Sequence, residues 1–514
     1  MLGIGIVQLC GFQFDSIIGP IESELHHVPF PGKYAVFLDF VLIMDASAAR
    51  CAIRFHMSKP SLILALCFVL ASALPSPAQN PAPTPPMGWN SWDAYGFTID
   101  EADFRANTSV LASIRQYGWQ YSVIDEGWYM QDPFAGTLEA RKYLWNENGI
   151  LIPDARRFPS SVAGAGFKPL ADWVHSQGLK FGIHIVRGIP RQVVAQNLPI
   201  TGSSFHAIDA ADTTSPCPWD EGNWGVKDNA AGQAYYDSML NLYAGWGLDY
   251  IKVDCISDHP YRPTEIRQIA EAIRKTGRPI VLSLSPGPTQ LDHAAEVAKY
   301  AQMWRISNDH WDAWFFKNHT DDGYPFGLRD EFDRIAEWAP YVKPGHWPDP
   351  DMLPEGYLGP HPGKDQPRQS AFTHDEQRTE FTLWAISRSP LILGSNLTKL
   401  DDFTRSLITN KEVTDLDQQA VESKPGLLPK KDGNSASFPQ RYWYASTGGP
   451  NPKHYIAIFN LADAATSSNL PWMLFNLENK PHSVYDVWNQ KHIPRSKSLH
   501  VDLPPHGCAL FRVE

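Results

Sequence analysis

Between residues 87 and 412 the chain alternates short apolar runs with helical patterns, and this alternation constrains the fold more than any other feature. Strand signals fall at 87–92, 121–128, 180–186, 249–254, 279–285, 302–307, a short run near 346–352, and 390–395. Helical spacing fills the intervals, as at 166–176, 230–244, 263–275 and 376–387. Eight strand–helix units over ~320 residues fit a closed barrel. A doubly wound open sheet is the alternative. It is disfavoured because no glycine-rich phosphate turn follows the first strand. After about residue 415 the pattern changes to short strands separated by Pro, Gly and Asn, at 441–445, 454–460, 483–487, 500–503 and 508–513. The expected fold is α/β: a (β/α)₈ TIM barrel over 87–412, followed by an antiparallel β-sandwich over 420–514.

The first 78 residues read as an upstream extension plus a leader. Met57-Ser-Lys-Pro-Ser61 is a short basic start, and 62–74 is an almost continuous apolar run. Ser76-Pro-Ala78 then offers small residues at a cleavage site. This is a secretory signal pattern beginning at Met57, too short in its apolar part to span a bilayer stably. It predicts a secreted or periplasmic protein with no membrane attachment after cleavage. Residues 79–86, rich in Pro and Ala, are expected to be a linker.

The 514 residues, 43% hydrophobic, are enough for a barrel core and an appended domain. A formal charge of −12 argues against nucleic acid, whose phosphates need a basic surface. Past the leader the cysteines are Cys217, Cys255 and Cys508, too few for a disulfide framework or a zinc site. Cys217 and Cys255 both flank expected barrel-top loops. A single bridge between them and a pair of free thiols are both open.

Asp249-Tyr-Ile-Lys-Val-Asp254 is the most informative strand. Lys252 and Asp254 are two apart, so on a strand they share a face. A carboxylate at the C-terminal end of a parallel strand lies where barrels keep their chemistry. A lysine beside it favours the ionised form, which suits a nucleophile. A second carboxylate within reach would complete a glycosidase pair. The segment from Trp304 to Trp314 offers Asp309 among three tryptophans, with Arg305 available to bind a hydroxyl or balance charge. Aromatic surroundings would suit Asp309 to the acid role. The plainer reading is a salt-bridged aromatic loop. Asp125-Glu126 and Asp349-Pro-Asp351 close other strands, and Trp92 ends the first. Clustered acids of this kind bind either metal or sugar hydroxyls. The accompanying tryptophans favour sugar, so no metal or cofactor is expected.

Pro85-Pro-Met-Gly-Trp-Asn-Ser-Trp92, Ile124-Asp-Glu-Gly-Trp128, Lys252-Val-Asp254, Arg305 to Trp314, Asp349-Pro-Asp-Met352 and Pro504-Pro-His-Gly-Cys-Ala-Leu510 follow in order the motifs of a known family. Over residues 83–514 the chain resembles glycoside hydrolase family 27, the α-galactosidases and α-N-acetylgalactosaminidases. The resemblance implies a retaining exo-glycosidase with a carbohydrate substrate. It implies Asp254 as nucleophile and Asp309 as acid/base. It implies Trp92, Asp125, Glu126, His184, Lys252, Ser285, Arg305 and Asp351 as sugar-binding residues.

Three departures bear on the sugar. Glu126 replaces the usual aspartate, Ser285 stands where galactosidases carry a 2-hydroxyl-sensing glutamate, and His184 replaces a common tyrosine. The leading expectation is hydrolysis of terminal α-D-galactosyl residues. A β-L-arabinopyranosidase or an α-N-acetylgalactosaminidase is the alternative within the family. An inactive sugar-binding protein is the non-enzyme alternative, disfavoured because a lectin needs neither Asp254 nor Asp309.

Overall fold

A computed structural model describes residues 80–513 apart from 136, 319–323, 360–365 and 428–439. The leader reading on 1–78 falls outside the described residues. Eight parallel strands form the central sheet: β1 (Met87–Asn90), β2 (Tyr121–Ile124), β3 (Lys180–Val186), β4 (Tyr250–Asp254), β5 (Val281–Leu284), β6 (Met303–Arg305), β7 (Trp347–Asp349) and β8 (Leu391–Leu393). Their order is β7-β6-β5-β4-β3-β2-β1-β8. The two ends meet through a parallel bridge between Leu353, just past β7, and Leu393 of β8. The expected barrel is therefore present, with most strands shorter than the apolar runs suggested and β3 spanning its full 180–186.

Inward-facing Tyr121, Val123, Tyr250, Val281, Met303, Trp347 and Ile392 fill the barrel as one cluster. A separate, larger apolar shell lies between strands and helices. The helix Pro263–Thr276 shows how that shell is built. Its Ile266, Ile269, Ala272 and Ile273 recur at helical spacing and are buried. Pro263 starts it where a missing N–H costs nothing, and Gly277, with φ +71°, ends it.

Four local differences from the sequence reading have physical causes. β1 stops at Asn90, because the Asn90 Oδ1 accepts the Trp92 N–H at 2.9 Å and turns the chain. Trp92 consequently opens a short helix, Trp92–Tyr95, and does not end a strand. Residues 80–86 are not a free linker. Ala82 is buried under the barrel and its carbonyl accepts the Trp347 indole N–H at 2.9 Å. A small antiparallel sheet of Ile189–Pro190, Asn223–Val226 and Ala211–Pro216 lies between β3 and β4. No helix among the described residues is long and apolar enough to cross a membrane.

The C-terminal region is antiparallel: β9 (Ala420–Leu427), β10 (Gln440–Thr447), β11 (His454–Asn460), β12 (Thr466–Pro471), β13 (His482–Asp486), β14 (Lys491–Ser496), β15 (Ser498–Leu503) and β16 (Cys508–Val513). One sheet runs β9-β10-β11-β16-β13-β14, and β12 pairs with β15. Alternation along β11 divides its work. Ile456 and Ile458 enter the sandwich interior, while Tyr455, Ala457 and Phe459 join the core shared with the barrel.

Candidate active site

The C-terminal ends of β1 to β7 bring the expected residues to one end of the barrel. Lys252 and Asp254 share a face of β4, as their spacing predicts, and both are partly buried. The direct partner of the lysine is Asp125, not Asp254. Lys252 Nζ lies 3.0 Å from Asp125 Oδ2, and Asn90 Nδ2 donates to the same oxygen at 2.7 Å. Asp125 Oδ1 accepts the Glu126 N–H at 2.9 Å. Burial would raise the Asp125 carboxyl, but Lys252, His184 and these donors hold it well below the usual carboxylate range. The carboxylates of Asp125, Asp254 and Asp351 in turn push the lysine upward against its burial.

Asp254 is held by two other groups. The Cys255 N–H donates to Oδ1 at 2.6 Å, and His184 Nε2 lies 3.3 Å from Oδ2. Burial opposes ionisation. The His184 bond, the Lys252 charge and the Cys255 N–H outweigh it, so the carboxyl titrates below its ordinary value. A hydrogen bond from His184 to a carboxylate requires the Nε2–H form of the ring. Cys255 carries this N–H at φ +61°, a left-handed conformation that an L-residue adopts at a cost. A disulfide joins Cys255 to Cys217 with Cα atoms 6.0 Å apart and a sequence separation of 38. Closing a loop of that length removes chain entropy worth about 4 kcal/mol from the unfolded state. It anchors the segment after Asp254 where the strain sits.

The opposite side is built around Arg305. Its Nη2 lies 2.8 Å from Asp351 Oδ2 and 3.3 Å from Asp309 Oδ1, and it donates to the Ser307 carbonyl at 3.2 Å. Asp351 also accepts the His310 N–H at 2.9 Å. Its own backbone is left-handed at φ +92°. Burial pushes the Asp351 carboxyl upward against the pull of Arg305. The Asp309 side chain is 47% exposed, against 20% for Asp254, so it faces the mouth.

Trp92 is partly buried on top of the barrel-filling cluster and meets Phe97 edge-on at 5.2 Å. Ser285 is buried just past β5, its N–H bonded to the Val253 carbonyl at 2.9 Å. Glu126 is half-buried. Burial first, then the charges of Asp220, Asp254 and Asp125, push its carboxyl well above the usual range. Among the described residues no group of three His, Cys, Asp or Glu is arranged to hold a metal ion.

Sequence reasoning gave no role to Asn90, Asp93, Asp220 or His310. Asp93 is buried near Asp351, Lys252 and Asp125, and burial holds its carboxyl well above the ordinary value. A side chain at Gly394 would collide with the Asp93 carboxylate, so that glycine is required for space. His310 is buried with Nε2 2.6 Å from Glu380 Oε1. Asn90 lies inside the quoted motif that ends at Trp92 and Asp93 follows it directly, which is the signal that pointed towards them. His310 lies inside the quoted Arg305 to Trp314 run, which likewise pointed towards it, whereas Asp220 had no such signal.

A carboxylate at a strand end and another on the loop after a second strand, with a lysine-paired acid and a tryptophan over the barrel-filling cluster, fit a carbohydrate-processing barrel. The comparisons with known proteins agree. Residues 219–419 match the profile of alpha galactosidase A, and 439–513 match the alpha galactosidase C-terminal beta sandwich domain. A crystal structure of a family 27 β-L-arabinopyranosidase from Geobacillus stearothermophilus is 39% identical with a TM-score of 0.76, over 84% of this chain and 97% of that one. A crystal structure described as a putative alpha-N-acetylgalactosaminidase from Bacillus halodurans is 36% identical with a TM-score of 0.71, over 84% and 97%. Alpha-galactosidase A of Cellvibrio japonicus is 27% identical over 84% of this chain and 92% of its own length. The chain belongs to glycoside hydrolase family 27, and it is a glycosidase.

Proposed function

We propose that the protein is an exported, retaining exo-glycosidase that prefers terminal β-L-arabinopyranosyl residues and accepts α-D-galactosyl residues less well. In the first step Asp254 attacks C1 while Asp309 protonates the departing glycosidic oxygen. This forms a glycosyl-enzyme ester. In the second, Asp309 takes a proton from water, the water oxygen attacks C1, and the Asp254 carboxylate leaves. The low carboxyl pKa of Asp254 suits attack, and the open position of Asp309 suits contact with leaving group and water.

Glu126 carries the choice of sugar. L-Arabinopyranose is galactose without the C6 hydroxymethyl group. Glu126 follows Asp125 directly at the end of β2, and Asp220, Asp254 and Asp125 all push its carboxyl upward, which puts it within reach of the charges around the nucleophile. It is one methylene longer than the aspartate usual in the family, and that methylene takes up the space a hydroxymethyl would need. The sequence reading puts galactosides first. The longer Glu126 at this strand end, with the higher identity to an arabinopyranosidase, supports reversing that order. The α-galactosidase reading stays second, supported by the curated relatives of that name.

The test compares p-nitrophenyl β-L-arabinopyranoside with p-nitrophenyl α-D-galactopyranoside on the wild type and Glu126→Asp. The wild type should prefer the pentoside, and Glu126→Asp should move the ratio of kcat/KM toward the galactoside by ~10–200-fold, the worth of one misplaced methylene. An unchanged ratio rules Glu126 out as selector. Retention is read from the anomer first released, by NMR. Export is read from the N-terminus of protein recovered outside the cytoplasm, expected near Gln79.

A further inference from the structure

The sandwich reaches the loop that carries Asp309. That loop leaves β6 at Arg305 and ends at the helix Leu328–Trp338. The Asp309 carbonyl accepts the Phe326 N–H at 2.9 Å. His310, next in the chain, is held by Asp351 and Glu380, and beyond it the loop is fastened at Asp312 and Trp314. At Asp312, the carboxylate takes two bonds from the Arg368 guanidinium and one from the Ala371 N–H at 2.6 Å. At Trp314, the indole lies flat on the imidazole of His506, with ring centroids 4.0 Å apart and planes 9° from parallel.

His506 belongs to the turn between β15 and β16, at φ +57°. Every polar face of the residue is engaged. Nδ1 lies 2.7 Å from Glu376 Oε1, Nε2 lies 2.9 Å from Asp463 Oδ1, and the carbonyl accepts the Thr379 hydroxyl at 2.7 Å. Glu376 also closes a capping box with Thr373 at the start of the helix His374–Ser387. The segment leading into that helix is the one that grips Asp312. One imidazole from the sandwich therefore touches the loop directly at Trp314 and braces the helix start beside the other fastening.

We infer that His506 is a positioning residue for the acid/base carboxyl, acting through Trp314, so that the sandwich is a working part of the active site. The inference rests on the reading of Asp309 as acid/base. A general acid must lie within hydrogen-bond reach of the leaving oxygen, and small displacements of a catalytic group are costly. Loosening the loop should therefore hurt proton donation and spare the attack by Asp254.

The experiment measures kcat/KM on a poor leaving group (the methyl glycoside) and a good one (the 2,4-dinitrophenyl glycoside). The variants are Asp309→Ala, His506→Ala, Trp314→Ala, Trp314→Phe and the double His506→Ala/Trp314→Ala, with thermal melts to check folding. His506→Ala should lower the poor-to-good ratio on the order of 10-fold, part of the ~10²–10⁴-fold a general acid supplies. Trp314→Ala should match it, Trp314→Phe should keep most of the ratio, and the double variant should be no worse than either single. Equal losses on both substrates, or none, with Asp309→Ala still selective for the poor one, overturn the role of His506. Absence of leaving-group dependence in Asp309→Ala itself overturns the acid/base reading, and this inference with it. If His506→Ala does not fold, the Trp314→Ala and Trp314→Phe pair decides on the same ratio.

Discussion

Asp254 lies at the end of a barrel strand, and Asp309 lies on a loop four residues past Arg305. The first receives a backbone N–H at 2.6 Å and a histidine at 3.3 Å, in a site walled by strand ends and tied by a disulfide. The second is almost half exposed, and Arg305, its charged partner among the described residues, sits at 3.3 Å while bonding Asp351 more closely. On the proposed mechanism, strands hold the group that must be ionised and aimed at one atom. On the same proposal, loops hold the group that must exchange protons with solvent and meet leaving groups of different shape. Two identical side chains thus acquire different chemistry from their supports.

The largest effect should come from the strand side. Asp254→Ala should cost roughly 10⁴-fold or more in kcat on every substrate, the scale of losing a nucleophile. Steady-state rates on aryl and alkyl glycosides check this. A variant that kept activity on activated aryl glycosides would break the division of labour. Asp309→Ala comes next. It should cost ~10²–10⁴-fold on alkyl glycosides and far less on dinitrophenyl glycosides, whose phenolate leaves without a proton. Loss of the same size on both would mean that the loop carboxylate does something other than donate protons.

The strand side was also the more legible in sequence. Alternation in Asp249-Tyr-Ile-Lys-Val-Asp254 predicts which residues share a face, because strand periodicity is local. It could not say that Lys252 bonds Asp125, 127 residues away, and not the aspartate two positions on. Trp92 was misplaced on a strand because one Asn90 side-chain bond, invisible to apolar patterning, turns the chain before it. In the sandwich, β11 and β16 were readable from their apolar residues. β12 and β14 were missed, since Thr466–Pro471 and Lys491–Ser496 are mostly polar and exposed. The stack of Trp314 on His506 joins two motifs that sequence reading treated as separate, because nothing local in either names the other.

Lys252→Met sharpens the comparison at smaller scale. Lys252 helps hold both Asp125 and Asp254 ionised, for Asp254 alongside the larger effect of His184. The Asp254 carboxyl is depressed in the folded enzyme. Removing the positive charge lets it bind its proton at higher pH. The acid limb of kcat/KM should therefore move upward, by about one pH unit for loss of a nearby opposite charge. A pH–rate profile of the variant, set beside one of an Arg305-side variant such as Asp351→Asn, checks the asymmetry. An unmoved acid limb in Lys252→Met would assign that limb to a group outside the strand side.

The smallest effect concerns crowding. On the strand side Glu126 lies among Asp125, Asp220 and Asp254, and its carboxyl is pushed well above the ordinary range by burial and then by those charges. The folded protein therefore keeps a proton on Glu126 at pH values where the unfolded chain, with glutamate near ~4.3, has released it. Stability falls with rising pH wherever the folded state holds more protons. This site consequently weakens the fold progressively above about pH 4.3, until the raised folded value is passed. Glu126→Gln keeps the size and the hydrogen-bonding edge of the protonated form and removes the titration. Glu126 is only half-buried, so solvent screening reduces the contribution. The wild-type melting temperature should drop between pH 5 and pH 8 by on the order of 1–2 °C more than that of Glu126→Gln. Melts of the two proteins in matched buffers measure the difference. Parallel curves would mean that Glu126 is already ionised beside Asp254, which would place more negative charge around the nucleophile than one lysine balances.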